Sequence, residues 1–212
     1  MQLELKQLAV QPGNQLLLID ITWQMYETIL SELGESRASR ISYSNGTLEI
    51  LAPLLEHEVS KVLIGDLVKI LLEELDREFW PLGSTTFKNE KIARGVEPDA
   101  CFYIQNEATI RGKNRIDLET DPPPDLAIEI DITSRTQFNN YEALGVPELW
   151  RYNGRKLEIS VLQDGKYVKG DRSLQFPNFP IAQLIPEYVD RSKTAGRNTA
   201  MKAFRAWVKE QL

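Results

Sequence analysis

The stretch Pro124-Asp125-Leu126-Ala127-Ile128-Glu129-Ile130-Asp131-Ile132 constrains the fold of this chain more than any other. Its residues alternate, so as a strand it puts Leu126, Ile128, Ile130 and Ile132 on one face and Asp125, Ala127, Glu129 and Asp131 on the other. A strand that packs on a core has no structural need for three acids on its second face. Like charges that close repel one another unless a cation or a proton intervenes. Two readings stand: a solvated face of an antiparallel sheet, or a divalent-metal site.

Composition narrows the second reading. The chain has one cysteine, Cys101, and one histidine, His57, which excludes an internal disulfide and a Cys/His zinc site. Any metal would take oxygen ligands, which favours magnesium, manganese or calcium. A net charge of −6 argues against coating nucleic acid by bulk electrostatics, but not against local phosphate contacts beside a metal. With 42% apolar and 26% charged residues, the 212-residue chain has the balance of a soluble globular protein. It is expected to form a single domain over 1–212, with an N-terminal arm over about 1–21 and a C-terminal helix over about 192–212. Glu4 and Lys6 interrupt any apolar leader, and no apolar run reaches the ~18 residues of a spanning helix. The expectation is a cytoplasmic protein with no membrane partner.

Taken in order, Leu16-Leu17-Leu18-Ile19 reads as the part of the arm that docks on the domain. Thr22 is an N-cap for a helix carrying Trp23, Tyr26, Ile29, Leu30 and Leu33 up to Gly34. Asn45-Gly46 between two β-prone runs marks a hairpin over Arg40 to Leu51. After Pro53, residues 54–78 read as one long helix with a wide apolar surface that includes Val59 and Val62. Glu58 is anomalous there: it answers either to the dipole at the helix start or to a site, with His57 and Lys61 beside it. Strands are expected over 79–87 and 96–104, the second carrying Pro98-Asp99. Thr133-Ser134 offers an N-cap for a short helix through Phe138, Tyr141 and Leu144. A β-meander follows from Glu148 to Val168, with turns at Asn153-Gly154 and Asp164-Gly165.

The ordered set is a helix with Glu58, a strand with Pro98-Asp99 and a strand with Glu129 followed by Asp131. It resembles the PD-(D/E)xK nuclease superfamily, and more narrowly the Uma-type restriction-endonuclease-like family. The residues that carry the resemblance are Val96-Glu97-Pro98-Asp99, Pro124-Asp125-Leu126-Ala127-Ile128-Glu129, and Tyr141-Glu142-Ala143-Leu144-Gly145-Val146-Pro147-Glu148-Leu149-Trp150. The resemblance implies an α/β protein of restriction-endonuclease-like fold, with a central mixed, twisted sheet flanked by α-helices. It implies a metal-dependent endonuclease acting on DNA, commonly as a homodimer. Asp99, Glu129 and the Ile130 carbonyl would hold Mg2+ or Mn2+, and Glu58 matches the acid often found on the first helix.

One position departs from the pattern. Where the superfamily motif has a lysine, this chain has Asp131, and where many Uma-type members carry one on the following helix it has Gln137. Asp131 could act as a third acidic ligand, and Lys61, Lys88 and Lys91 are the candidate replacement bases. The catalytic candidates are therefore Glu58, Asp99, Glu129, Asp131 and Lys61. The alternative is a catalytically silent nuclease-fold protein that serves as a binding or scaffold module. Cys101 and the four tryptophans read as packing residues.

Overall fold

The computed structural model of the protein describes residues 9–34, 37, 39–83, 85–132 and 138–212. Local signals set the first half of the chain. Thr22 accepts a hydrogen bond from the Met25 amide at 3.2 Å and caps helix α1 (Trp23–Leu33), which Gly34 ends at φ 70°. Asn45 and Gly46 adopt φ of 44° and 87°, the left-handed pair that a tight hairpin needs. They join β2 (Arg40–Ser44) to β3 (Thr47–Leu51) in antiparallel register from Ser44↔Thr47 to Arg40↔Leu51. The docked arm is an edge strand, β1 (Gln15–Leu18), paired with β3.

Helix α2 (Leu55–Glu74) stops short of the expected residue 78. The chain turns at Asp76, with φ 52°, and the Arg77 amide bonds back to the Leu72 carbonyl at 2.9 Å. Ile64, Leu67, Val68 and Leu71 are buried, whereas Val59 and Val62 are 41% and 53% exposed. At 100° per residue these two valines lie about half a turn away from Ile64, so the apolar surface is narrower than the sequence suggests.

The strand expected over 79–87 is two strands in different sheets, β4 (Trp80–Leu82) and β5 (Phe87–Asn89). The strand expected over 96–104 likewise divides into β6 (Arg94–Val96) and β7 (Ala100–Tyr103). Pro98 has no N–H for a ladder, and Glu97-Pro98-Asp99 becomes the link between the two sheets. The polar connection that follows contains one short helix, α3 (Glu107–Ile110).

The first sheet has the order β1-β3-β2-β6-β5 and is antiparallel throughout. The second is mixed. After β8 (Leu126–Ile130), helix α4 (Phe138–Leu144) carries the chain to β9 (Glu148–Tyr152), which pairs with β8 in parallel. Strands β10 (Leu157–Gln163) and β11 (Lys166–Gly170) complete the order β11-β10-β9-β8-β7-β4. The N-cap expected at Thr133-Ser134, and Gln137, lie outside the described residues.

The C-terminal helix expected over 192–212 is in fact two helices, α5 (Ile181–Ala195) and α6 (Arg197–Glu210), separated by Gly196 at φ 91°. Pro186 sits in the second turn of α5, where a sequence reading favours a break; burial of Leu184, Ile185, Tyr188 and Val189 holds the helix. The largest core lies between α2, α5, α6 and one face of the mixed sheet, including Leu126, Ile128 and Ile130. A second core covers the opposite face with Cys101, Ala127, Tyr141 and Leu149. Strand β8 is thus covered on both faces, which removes the solvated-face reading of its acids. No helix among the described residues is long and apolar enough to cross a membrane.

Candidate active site

Strands β7 and β8 pair antiparallel with Ala100↔Ile128, Cys101↔Ala127 and Phe102↔Leu126. One step further along this register sets Asp99 opposite Glu129. Directly opposed residues on one sheet face have Cβ atoms about 4.5–5.5 Å apart, so the pairing makes these two acids neighbours.

Asp99 is fully buried, and each of its contacts offsets its charge. Its Oδ2 accepts from the Ile130 amide at 2.6 Å and from Nε2 of His57 at 3.1 Å, and the Arg40 guanidinium closes against Oδ1. Arg40 begins β2 in the first sheet, and its other nitrogen reaches Glu58 Oε1 at 3.3 Å. A single guanidinium therefore joins Asp99 to Glu58.

His57 comes from the buried face of α2. Burial, assisted by the charge of Arg40, lowers its pKa to about 4, so the ring is neutral at pH 7. Because a carboxylate only accepts, Nε2 carries the ring proton that is donated to Asp99. Glu58 lies in the first turn of α2, so both readings of it hold: it meets the helix dipole and it joins the cluster. Burial raises its pKa, but Lys61 and Arg40 outweigh burial and leave it below the usual range. Lys61 stands 3.4 Å from Glu58 Oε2, and its own pKa is lowered by burial and by Arg40.

Glu129 is less well compensated. Burial pushes it up to about 7 against the pull of Arg40 and of the Tyr141 hydroxyl, which donates to Oε1. Asp131 and Glu49 add to the rise. Asp131 itself pairs with Arg151 at 3.6 Å. Lys88 and Lys91 do not reach the cluster: Lys88 binds Glu27 at 2.6 Å and Lys91 binds Glu119 at 2.9 Å.

Two neighbouring acids have structural work instead. Asp125 Oδ2 accepts from the amides of Ile104, Gln105 and Asn106 at 2.6, 2.9 and 3.2 Å, which ties the end of β7 to the start of β8. Glu97 accepts from Thr86 at 2.6 Å and from the Ile41 amide at 3.0 Å, and it pairs with Arg37. Buried Cys101 has its thiol pKa raised by desolvation, which suits packing rather than nucleophilic chemistry.

The structure thus brings Glu58, Lys61 and Asp99 together through Arg40, and sets Glu129 opposite Asp99. Asp131 lies within electrostatic reach of Glu129. Sequence reasoning passes over Arg40, the centre of this arrangement. The signal for it is indirect: several acids converging on a dry site require a cation, and Arg40 opens the hairpin strand that crosses over them. Among the described residues, no three His, Cys, Asp or Glu side chains form a metal-holding group. The fit to an ion therefore rests on two carboxylates, a donor number that Mg2+ accepts when water or phosphate completes its shell.

A mixed sheet covered on both faces by helices and loops, with opposed acids on paired strands, makes this an α/β protein, and the family match below places it in the restriction-endonuclease-like class. The Uma2 family model, described as "Putative restriction endonuclease", matches residues 23–189, and the chain belongs to that family. The chain is also similar to a solved structure described as a "putative nuclease belonging to DUF820 from Anabaena variabilis ATCC 29413", with 12% identity and a TM-score of 0.49. That similarity covers 84% of this chain and 96% of the other. A comparison with curated proteins found no match.

Proposed function

We propose that the protein is a metal-dependent endonuclease that hydrolyses phosphodiester bonds of DNA. The observation that carries this reading is the register of β7 and β8, whose continuation by one step sets position 99 opposite position 129 and so makes Asp99 and Glu129 neighbours on one sheet face. Membership of a family described as "Putative restriction endonuclease" supports a nucleic-acid substrate. The donors are hard oxygens, which suit Mg2+ or Mn2+: Asp99 and Glu129, with the Ile130 carbonyl as a further ligand. When bound, such an ion supplies Lewis acidity, polarising a phosphoryl oxygen and lowering the pKa of an attacking water.

The surrounding residues prepare these donors. His57 and the Ile130 amide fix the orientation of Asp99 by donating to one oxygen, and Tyr141 does the same for Glu129. Lys61 is the lysine that reaches the acidic cluster, and it fits the role of the absent motif lysine in neutralising phosphoryl charge. Asp131 would adjust the charge of Glu129, while Arg151 moderates its own. A homodimer would bring one such cluster to each strand of a duplex.

Supercoiled plasmid incubated with Mg2+ or Mn2+ tests the reading. Nicking is expected, with a loss of at least about 100-fold in Asp99→Ala and in Glu129→Ala, on the scale of removing one transition-state electrostatic group. Absence of nicking with either metal, or nicking unchanged in both variants, would overturn it. A second reading, a silent nuclease fold acting as a binding or scaffold module, is favoured by the contact of Arg40 with Asp99 and Glu58. It predicts DNA retention without cleavage in the same incubations.

A further inference from the structure

Asp99 Oδ2 already accepts from the Ile130 amide and His57, so a divalent ion approaching this carboxylate meets Oδ1, the oxygen against which the Arg40 guanidinium closes. Arg40 lies against Asp99 and reaches Glu58 at 3.3 Å, with its side chain only 9% exposed. It is therefore a desolvated cation inside the acidic cluster, tethered there by its own strand. We infer that Arg40 is a built-in competitor for the metal: it occupies the charge position of the divalent ion, and the ion binds only as Arg40 withdraws. The inference rests on the metal reading above.

Three features of the site support a movable cation over a permanent structural pair. First, Arg40 is the first residue of β2 and pairs with Leu51 of β3, while β6 joins β2 only at Tyr43 and Ser44, so its backbone is laddered to one neighbouring strand only. Second, Glu58 is 42% exposed, so the outer end of the cluster opens toward solvent and offers the guanidinium a second, wetter partner. Third, Asp99 keeps two other donors when Arg40 leaves, the Ile130 amide and His57, and stays oriented without it. The exchange replaces the single charge of the guanidinium by the double charge of the ion at the carboxylates, and no bond is made or broken in the chain.

The consequence is a metal affinity set by an arginine rather than by ligand number alone. The test is isothermal titration of Mn2+ into the full chain and into Arg40→Met and Arg40→Lys, with Asp99→Asn as the ligand control. Arg40→Met retains the apolar stem and removes the competing charge. It should bind Mn2+ about tenfold more tightly than the wild type, within the usual range of site–site coupling, whereas Arg40→Lys stays closer to the wild type. Equal or weaker binding by Arg40→Met overturns the inference while leaving the metal reading intact. Absence of Mn2+ binding in both the wild type and Arg40→Met overturns the metal reading, and this inference with it. A second measurement needs no variant: the Arg40 Nε resonance of the wild-type protein should shift as Mg2+ saturates the site. A resonance that stays fixed at saturation also overturns the inference, so it remains testable if Arg40→Met fails to fold.

Discussion

Glu129 offers a direct test of how burial controls this site. Its carboxyl is raised from 4.5 to about 7, chiefly by desolvation, so the folded protein holds a proton there that the unfolded chain has released. The sign follows: between pH 4.5 and about 7 the native state binds more protons than the unfolded state, and this group's contribution to stability falls as pH rises through that window. At 1.36 kcal/mol per pH unit the cost above pH 7 is at most about 3.4 kcal/mol, a ceiling because Glu129 is not wholly shielded from solvent. Glu129→Gln keeps the shape and an oxygen for the Tyr141 hydroxyl while removing the charge. In metal-free buffer with a chelator, the variant should match the wild type near pH 4.5 and exceed it progressively up to pH 8. At the ceiling the gain is about 7–14 °C in Tm for a chain of this size. Urea and thermal unfolding followed by circular dichroism at pH 4.5, 6, 7 and 8 measure the difference. A gap that does not vary with pH, or a variant less stable than the wild type at pH 8, would refute the account of Glu129 as a buried, under-compensated acid.

Further expectations follow from the same geometry. His57, with its pKa lowered to about 4 by burial, favours the native state when neutral; its contribution is complete above pH 6.5 and is lost as pH falls toward 4. Its ring resonances should accordingly remain those of the neutral Nε2–H form at pH 5.5, and a titration midpoint near 6.5 would contradict the burial argument. Asp125→Ala leaves three backbone amides without their acceptor and should cost about 3 kcal/mol in urea unfolding. It should leave Mn2+ affinity unchanged; a loss of metal binding comparable to that of Asp99→Asn would show that Asp125 belongs to the site.

The parts of the fold legible in the sequence are those written in local chemistry. Thr22, Gly34 and Asn45-Gly46 each fix a boundary through a hydrogen bond or a left-handed backbone, and the structure keeps all three. The alternation in β8 is real, but its meaning depends on what covers the second face, and that cover comes from residues more than ten positions away, such as Tyr141 and Leu149. The three-residue strands β4, β5 and β6 carry too few side chains to show a period, so their division between two sheets is invisible locally. Helix α5 is hidden by Pro186, which tertiary burial overrides. Within the site, Asp99, Glu129 and Glu58 stand out as acids in apolar surroundings. Arg40 does not, because an arginine at a strand end is ordinary until the chain folds and brings it against a carboxylate 59 positions on.

The short link Glu97-Pro98-Asp99 has a use beyond joining two sheets. Each of its acids accepts from a backbone amide on a different sheet: Glu97 from Ile41 at 3.0 Å, and Asp99 from Ile130 at 2.6 Å. An N–H donated to a carboxylate resonates downfield and exchanges slowly while that acceptor stays in position. The molecule therefore carries two internal reporters, one on either side of Pro98. The Ile130 amide senses any change at Asp99, while the Ile41 amide, bonded to the other acid, is the reference. Following the pair by amide exchange would separate a local event at the acidic cluster from a general loosening of the sheets, without a label on either acid.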